Sequence, residues 1–361
     1  MDIAIIGGGH GAHAAAADLA ERGHGVRWWR RDAEAFRPLV ETRAIALRDH
    51  SGERMVTIEL ASTDPAAVLD GAALVLVPLP ASAQESVARL LAPHLRAGQV
   101  VFMPPGSFGS YVMAKTVRAA GNRAELSFAE AGTLPWLTRK AGAAQVAITA
   151  RATRLPAGVF PSDLGEYAFA LIERAFPALE RRQDALDAAL LNAGPVIHPP
   201  LILMNAGAIE HFPHWDIHNE GTQPAVRRVT DALDAERIAV RVALGYRAPH
   251  FPLADHYRAG GEEWMYGNLA HERLVDSGDW RETIDLCRHR YMREDCACGL
   301  ALLVSIADWA AVPCPVARGL LALASAVVGE DLRVRGRTLE SMDLAGLNRA
   351  EFAALLAHGL P

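Results

Sequence analysis

Two hydrophobic rhythms divide the chain. Through about residue 180, short apolar runs rich in β-branched residues alternate with amphipathic or small-residue stretches. Asp2–Ile6 (DIAII) and Gly25–Trp29 (GVRWW) read as the first two strands. Residues 56–60 read as a third, with 44–47 as its candidate partner. Residues 73–77 and 100–103 are short runs of the kind buried on both faces of a parallel sheet. Residues 83–92 between them read as a helix that stops near Pro93, and 125–129 and 145–148 as further strands. The stretch 153–162 holds two prolines and a glycine and reads as a surface loop. This βαβ alternation predicts a doubly wound sheet.

Beyond Arg182 the period becomes helical. Residues 184–191, 222–244, 299–312, 316–328 and Arg349–His358 read as helices; in 222–244 the apolar positions include Val226, Val229, Leu233, Ile238, Val242 and Leu244. No strand-like alternation, internal repeat or low-complexity tail stands out. The expected division is an α/β nucleotide-binding domain over 1–185 and an all-α domain over 186–361, with the junction near 180–195.

Between the first strand and the alanine-rich helix predicted after it lie Gly7, Gly9 and Ala12 in G-x-G-x-x-A spacing. The first glycine permits the tight turn out of the strand. The second lets a diphosphate lie against bare backbone. The third small residue lets the helix pack close to the sheet, with its N-terminal amides aimed at the phosphates. Glycines often serve only a turn, but here the strand before and the helix after are both legible. The expectation is a Rossmann-type dinucleotide site with Gly7, Gly9, His10, Gly11 and Ala12 around the diphosphate. At the end of the second strand, Arg30 and Arg31 stand where NAD-preferring sites place a carboxylate. Guanidinium groups match a 2′-phosphate, so NADP(H) is the expected preferred cofactor, with NAD(H) possible through Asp32. The plainer alternative is a pair of solvated surface arginines. Pro78 and Pro80, in the loop after the fourth strand, and residues 103–107 after the fifth are expected to wall the cofactor.

Composition narrows the class. The 361 residues are 51% hydrophobic and 22% charged, an ordinary globular balance with enough chain for two cores. A net charge of −6 argues against a broad nucleic-acid surface. No apolar run is read as long enough to span a bilayer, so no membrane partner is expected. The chain opens on a strand and a phosphate loop rather than a signal peptide, and a cytoplasmic setting is expected. Cys287, Cys296, Cys298 and Cys314 lack zinc spacing and read as reduced thiols, with no metal expected.

Candidate chemistry lies in the helical half. His198 sits between an apolar, strand-like stretch and two prolines that restrain the backbone. Arg290-Tyr291-Met292-Arg293-Glu294-Asp295 precedes an apolar helix starting near Gly299, where Glu294 or Asp295 can cap amides or orient another side chain. Taken alone, one histidine among 14 is more often structural, and the charged segment reads as an exposed turn. His211, Trp215, His218 and Trp264 are equally well packed aromatics or pocket residues.

At these residues the chain resembles the octopine/nopaline (opine) dehydrogenase family. The shared features are the Gly7 to His13 loop, His198-Pro199-Pro200, Asn205-Ala206-Gly207, Glu220-Gly221 ahead of a long helix, and Arg-Tyr-x-x-Glu-Asp at 290–295 followed by Gly299-Leu300. They recur in the same order over nearly the whole chain, and the His-Pro-Pro and Arg-Tyr segments are the specific ones. Cys296-Ala297-Cys298 departs from the family's valine-proline-like stretch, which leaves the pocket lining open. The resemblance implies a nucleotide domain, a helical domain and a cleft between them. It implies NAD(P)H-dependent condensation of an amino acid or amine with a 2-oxo acid to a secondary amine dicarboxylate. By motif, His198 is the catalytic histidine, Asp295 its paired carboxylate and Arg290 the residue for the oxo-acid carboxylate; a homodimer is expected by analogy. A keto-acid reductase of the ketopantoate or glycerol-3-phosphate type is the first alternative. Such enzymes rest on a lysine, and lysines here are very few, Lys115 and Lys140 among them, with none in the helical half. A non-catalytic NADP(H)-binding sensor is the second.

Overall fold

Short, largely apolar runs put β1 (Asp2–Ile6), β2 (Gly25–Trp29), β6 (Leu74–Leu76) and β7 (Val100–Met103) in the inner part of an eight-stranded sheet. The computed structural model describes residues 1–258, 260–261, 264–267, 270–276, 278 and 280–360. The remaining strands are β3 (Ala44–Asp49), β4 (Gly52–Thr57), β5 (Leu60–Ser62), β8 (Ser127–Ala131), β9 (Trp136–Lys140), β10 (Gln145–Arg151), β11 (Leu155–Phe160) and β12 (Leu179–Arg181). The large sheet runs β12-β11-β8-β7-β6-β1-β2-β5, parallel except for the antiparallel β8–β11 pair. Its order reverses at β1 and β6, so the loops leaving the carboxyl ends of these two strands flank a crevice.

A second sheet, β4-β3-β10-β9, takes strands that the sequence pattern did not separate from the first. The single strand expected over 56–60 is two. Val56 and Thr57 end β4 and pair with Ile45 and Ala44, whereas Leu60 opens β5 and pairs with Arg27 of β2. The chain changes sheets between them: the Ile58 amide donates to Arg43 O and the Glu59 amide to Val26 O. The loop expected over 153–162 is also corrected. It contains β11, buried along its whole length. Its glycine is there because a Cβ on Gly158 would lie 1.8 Å from the Asp184 carbonyl oxygen, an approach only bare backbone permits.

The alanine-rich helix His10–Glu21 contacts strands of both sheets, and every residue from Gly11 to Leu19 is buried. A helix covered on all sides needs small side chains rather than one apolar stripe, which explains its run of alanines. Its one buried carboxylate, Asp18, accepts from Trp136 Nε1 at 3.0 Å and from Arg151 Nε at 2.6 Å. Arg151 also reaches Asp49, which Arg54 engages from β4. These alternating charges satisfy a polar group that would otherwise be costly to bury.

By contacts the chain divides into one unit of Met1–Ala189 with Ala354–Pro361 and a second of Leu190–Ala353. The last residues thus group with the nucleotide-binding unit, not with the helical region to which the sequence pattern assigned them. The second unit is built on helices Gly194–Met204, Pro224–Ala243, Ala301–Trp309 and Pro315–Val328 and on a wider π-helical segment, Tyr291–Leu300. The Ala185–Met204 stretch has the length and apolarity of a membrane span, contrary to the sequence expectation, but 72% of its 18-residue apolar window is buried inside the fold.

Candidate active site

In the first unit the glycine loop has the geometry its spacing predicts. Gly7 takes φ +126°, and its backbone is held at both ends: its amide donates to Trp29 O at 3.0 Å and its carbonyl accepts from Trp28 Nε1 at 2.6 Å. Gly9 is exposed, and a Cβ there would meet nothing within 4 Å, so open space lies beside bare backbone at the helix start. A Cβ on Gly11 would lie 2.9 Å from Leu134 and 3.1 Å from Pro78, and Ala12 is fully buried. The close helix packing is therefore made at Gly11 as well as Ala12. Pro78 is buried against this helix, Pro80 is exposed, and Leu79 between them covers Gly7.

Arg30 is drawn inward, its side chain 16% exposed and packed on Gly8, where a Cβ would lie 2.6 Å from Nε. Arg31 and Asp32 are exposed. Asp32 caps the Ala33–Thr42 helix by accepting from the Ala35 amide at 3.0 Å. A residue that sequence reasoning gave no role, Lys140, reaches the same loop from β9: its Nζ donates to Gly8 O at 3.0 Å, and its amide donates to His10 Nδ1 at 2.9 Å. The bare backbone at Gly9 and the cations beside Gly8 suit a dinucleotide's phosphates. Beyond β7, buried Glu130 accepts from the Phe108 amide at 2.8 Å and from the Ser110 hydroxyl, and buried Gln84 donates to Gly106 O at 3.0 Å. These two side chains fix the 103–110 loop at the carboxyl end of the sheet; neither was singled out in the sequence.

In the second unit His198 and Asp295 meet across two helices. The apolar stretch before His198, read as strand-like, is helical from Gly194, with Pro199 and Pro200 inside the same helix. Proline lacks an amide hydrogen, so the Pro195 and Val196 carbonyls lose their usual i+4 donors there. Glu294 and Asp295 are not helix caps on an exposed turn; both are buried within the π-helical segment. Two glycines set the approach. A Cβ on Gly299 would lie 2.0 Å from Pro195 Cγ, and one on Gly194 would lie 2.3 Å from Asp295 Oδ1.

The result is a 2.7 Å contact between His198 Nδ1 and Asp295 Oδ2. Tyr291 stacks flat on the imidazole, with centroids 3.7 Å apart and planes 16° apart, and fixes the ring's orientation. His218 meets the same ring edge-on at 5.9 Å, and Trp280 in turn meets the His218 ring edge-on at 5.3 Å. Burial, with Arg290 and His289 nearby, holds His198 well below the usual imidazole range; burial also pushes Asp295 up, to about 7. The imidazole is therefore neutral at rest, and with Nδ1 engaged by the carboxyl, Nε2 is the nitrogen left for a reactant. Arg290 is exposed, its guanidinium 5.5 Å from the Tyr291 ring centroid. Tyr291 could have been found in the motif; His218 is one of the four aromatics that the sequence left open between packing and pocket. Trp215 is a packed aromatic, stacked on Phe212, and its Nε1 donates to Asn205 Oδ1 at 3.2 Å. Trp264 is buried against His256.

Comparison with known proteins converges with this geometry. Residues 181–328 match the family model for the α-helical domain of NAD/NADP octopine/nopaline dehydrogenase, and residues 2–127 match that of the N-terminus of NAD-dependent glycerol-3-phosphate dehydrogenase. The chain is 30% identical over 358 residues to vitopine synthase of Allorhizobium ampelinum and 27% identical over 354 residues to opine dehydrogenase of Arthrobacter sp. (strain 1C), with 96% of each chain covered in both cases. It shares its fold with an octopine dehydrogenase solved with NADH and agmatine, at TM-score 0.73 and 18% identity, covering 100% of this chain and 99% of the other. The chain belongs to the octopine/nopaline dehydrogenase family and is an NAD(P)H-dependent opine dehydrogenase, an oxidoreductase acting on CH–NH bonds.

Proposed function

We propose that the enzyme joins an amino acid or amine to a 2-oxo acid, with His198 as general acid–base, Asp295 as its orienting partner and Arg290 as the grip on the oxo-acid carboxylate. The His198–Asp295 contact carries this reading. The amine nitrogen forms a bond to the carbonyl carbon, and its proton passes to His198 Nε2. His198 returns that proton to the former carbonyl oxygen, giving a carbinolamine, and then relays the second nitrogen proton to the new hydroxyl, which leaves as water as the nitrogen lone pair forms the imine. The bound cofactor supplies the hydride that the imine carbon accepts, and the nitrogen takes up a proton from solvent. A neutral imidazole is the form that can take the first proton, and the buried carboxyl holds the ring in position and offsets the imidazolium that forms. Arg290 offers a planar fork for two parallel hydrogen bonds to a carboxylate and lies beside the tyrosine stacked on the base.

The preferred cofactor in this reading is NADP(H). Its support is the inward-packed Arg30 with Arg31 next to it, and the commitment of Asp32 to a helix cap. Cofactor oxidation with NADPH or NADH, with amino acids crossed against pyruvate, 2-oxoglutarate and glyoxylate, tests the reaction. Turnover should require both an amine and an oxo acid. Full turnover of an oxo acid alone to its hydroxy acid would make the protein a keto-acid reductase instead.

A further inference from the structure

The glycine loop carries more positive charge than its own sequence suggests. Arg30 lies along one side of Gly8, and the Lys140 ammonium hydrogen-bonds the Gly8 carbonyl from the other sheet. Lys140 ends β9, whose register places it opposite Val146 of β10. Its backbone is stitched to the first residue of the phosphate-loop helix through His10 Nδ1. The ammonium is thus held in place by three features: a paired strand, the His10 contact and the Gly8 carbonyl. Only one of its three N–H groups is used by that carbonyl.

Two cations held close repel each other, and burial adds to the cost: burial first, then Arg30, lowers the Lys140 ammonium below its usual range. Arg30 has Asp32 at 4.0 Å, at the edge of ion-pair range, and among the described residues no carboxylate pairs with Lys140. A site built this way is completed by an anion. The end of the second strand beside the glycine loop is where a dinucleotide's adenosine ribose lies, and the group that separates NADP(H) from NAD(H) there is a phosphate monoester on the 2′-oxygen.

We propose that Lys140 is a specificity-determining residue that, together with Arg30, seats the 2′-phosphate of NADP(H). The proposal rests on the NADP(H) preference given above and adds a residue from a different sheet to it. A lysine that merely propped the loop, or that served the diphosphate common to both cofactors, would affect both cofactors alike.

Binding to the full-length protein, measured by isothermal titration, separates these cases without any turnover. The probes are NADP+, NAD+, adenosine 2′,5′-diphosphate and 5′-AMP. The variants are Lys140→Met, which keeps the aliphatic stem, and Lys140→Arg, which restores the charge. The expected result is a loss of about tenfold or more in affinity for NADP+ and adenosine 2′,5′-diphosphate in Lys140→Met. NAD+ and 5′-AMP should stay within about twofold, which also shows that the loop is folded, and Lys140→Arg should recover most of the loss. If the unaltered protein prefers NADP+ and Lys140→Met is silent or weakens all four probes equally, this inference fails while the arginine-based preference stands. If the unaltered protein binds NADP+ and NAD+ alike, the preference itself is wrong and the phosphate seat falls with it.

Discussion

Gly194 and Asp295 are packed so closely that a Cβ on the glycine would lie 2.3 Å from the aspartate Oδ1. The Asp295 carboxyl therefore owes its place beside His198 to a missing side chain on the opposing helix. Gly194→Ala should push Asp295 off the imidazole. Overpacking of this kind costs about 1–3 kcal/mol of stability, and the lost orientation should lower turnover about tenfold or more. Melting temperature and kcat measured together check this; a stable variant with full kcat would show that the carboxyl tolerates displacement.

His198→Ala should lose about a hundredfold or more in kcat, the usual contribution of general acid–base help, with cofactor affinity near normal. Asp295→Asn should lose less, because the base remains and only its tautomer and charge partner change. Arg290→Ala should mainly raise the oxo-acid KM. A folded His198→Ala protein that keeps most of its activity would remove the acid–base assignment.

Replacing Arg30 and Arg31 together by alanine should raise the KM for NADPH at least about tenfold and leave that for NADH nearly unchanged. Steady-state kinetics with both cofactors decides this, and equal effects on the two would make the arginines bystanders.

His256, buried against His271 and Trp264, is pushed down to about 3 by burial and by neighbouring His271, His218 and Arg227. The unfolded chain takes up this proton near pH 6.5 and the folded chain does not. The stability from keeping His256 neutral is therefore present above pH 6.5 and is lost progressively as pH falls towards 3. Between pH 6.5 and pH 5 this amounts to about 2 kcal/mol. In urea unfolding at pH 7.5 and pH 5, His256→Phe should be the less acid-sensitive protein, and an unchanged gap between the two proteins would contradict the buried neutral state.

Gly158→Ala places a Cβ 1.8 Å from the Asp184 carbonyl oxygen, backbone that cannot swing aside. Soluble yield and melting temperature should both fall, by more than for Gly9→Ala, whose Cβ would enter open space. Comparable stability of the two variants would mean that the β11 packing is looser than it looks.

What the sequence determined by itself was everything whose physics is local. β1 and β2 have the bounds read from the sequence, and the glycine loop between β1 and the following helix was readable because its steric demands fall within a few consecutive residues. The long helices were legible from their period, and a family motif singled out His198, Asp295 and Arg290 as candidates. What the tertiary structure decided was which distant segments meet. His198 and Asp295 are 97 residues apart, and Lys140 and Gly8 are 132 apart, so no spacing rule could announce either contact. The split of 56–60 between two sheets, and the burial of β11 despite Pro156 and Gly158, likewise depend on the partner each strand finds. Strand pairing and close backbone approach are long-range choices: a hydrophobic period says that a face is covered, and only the folded chain says by what.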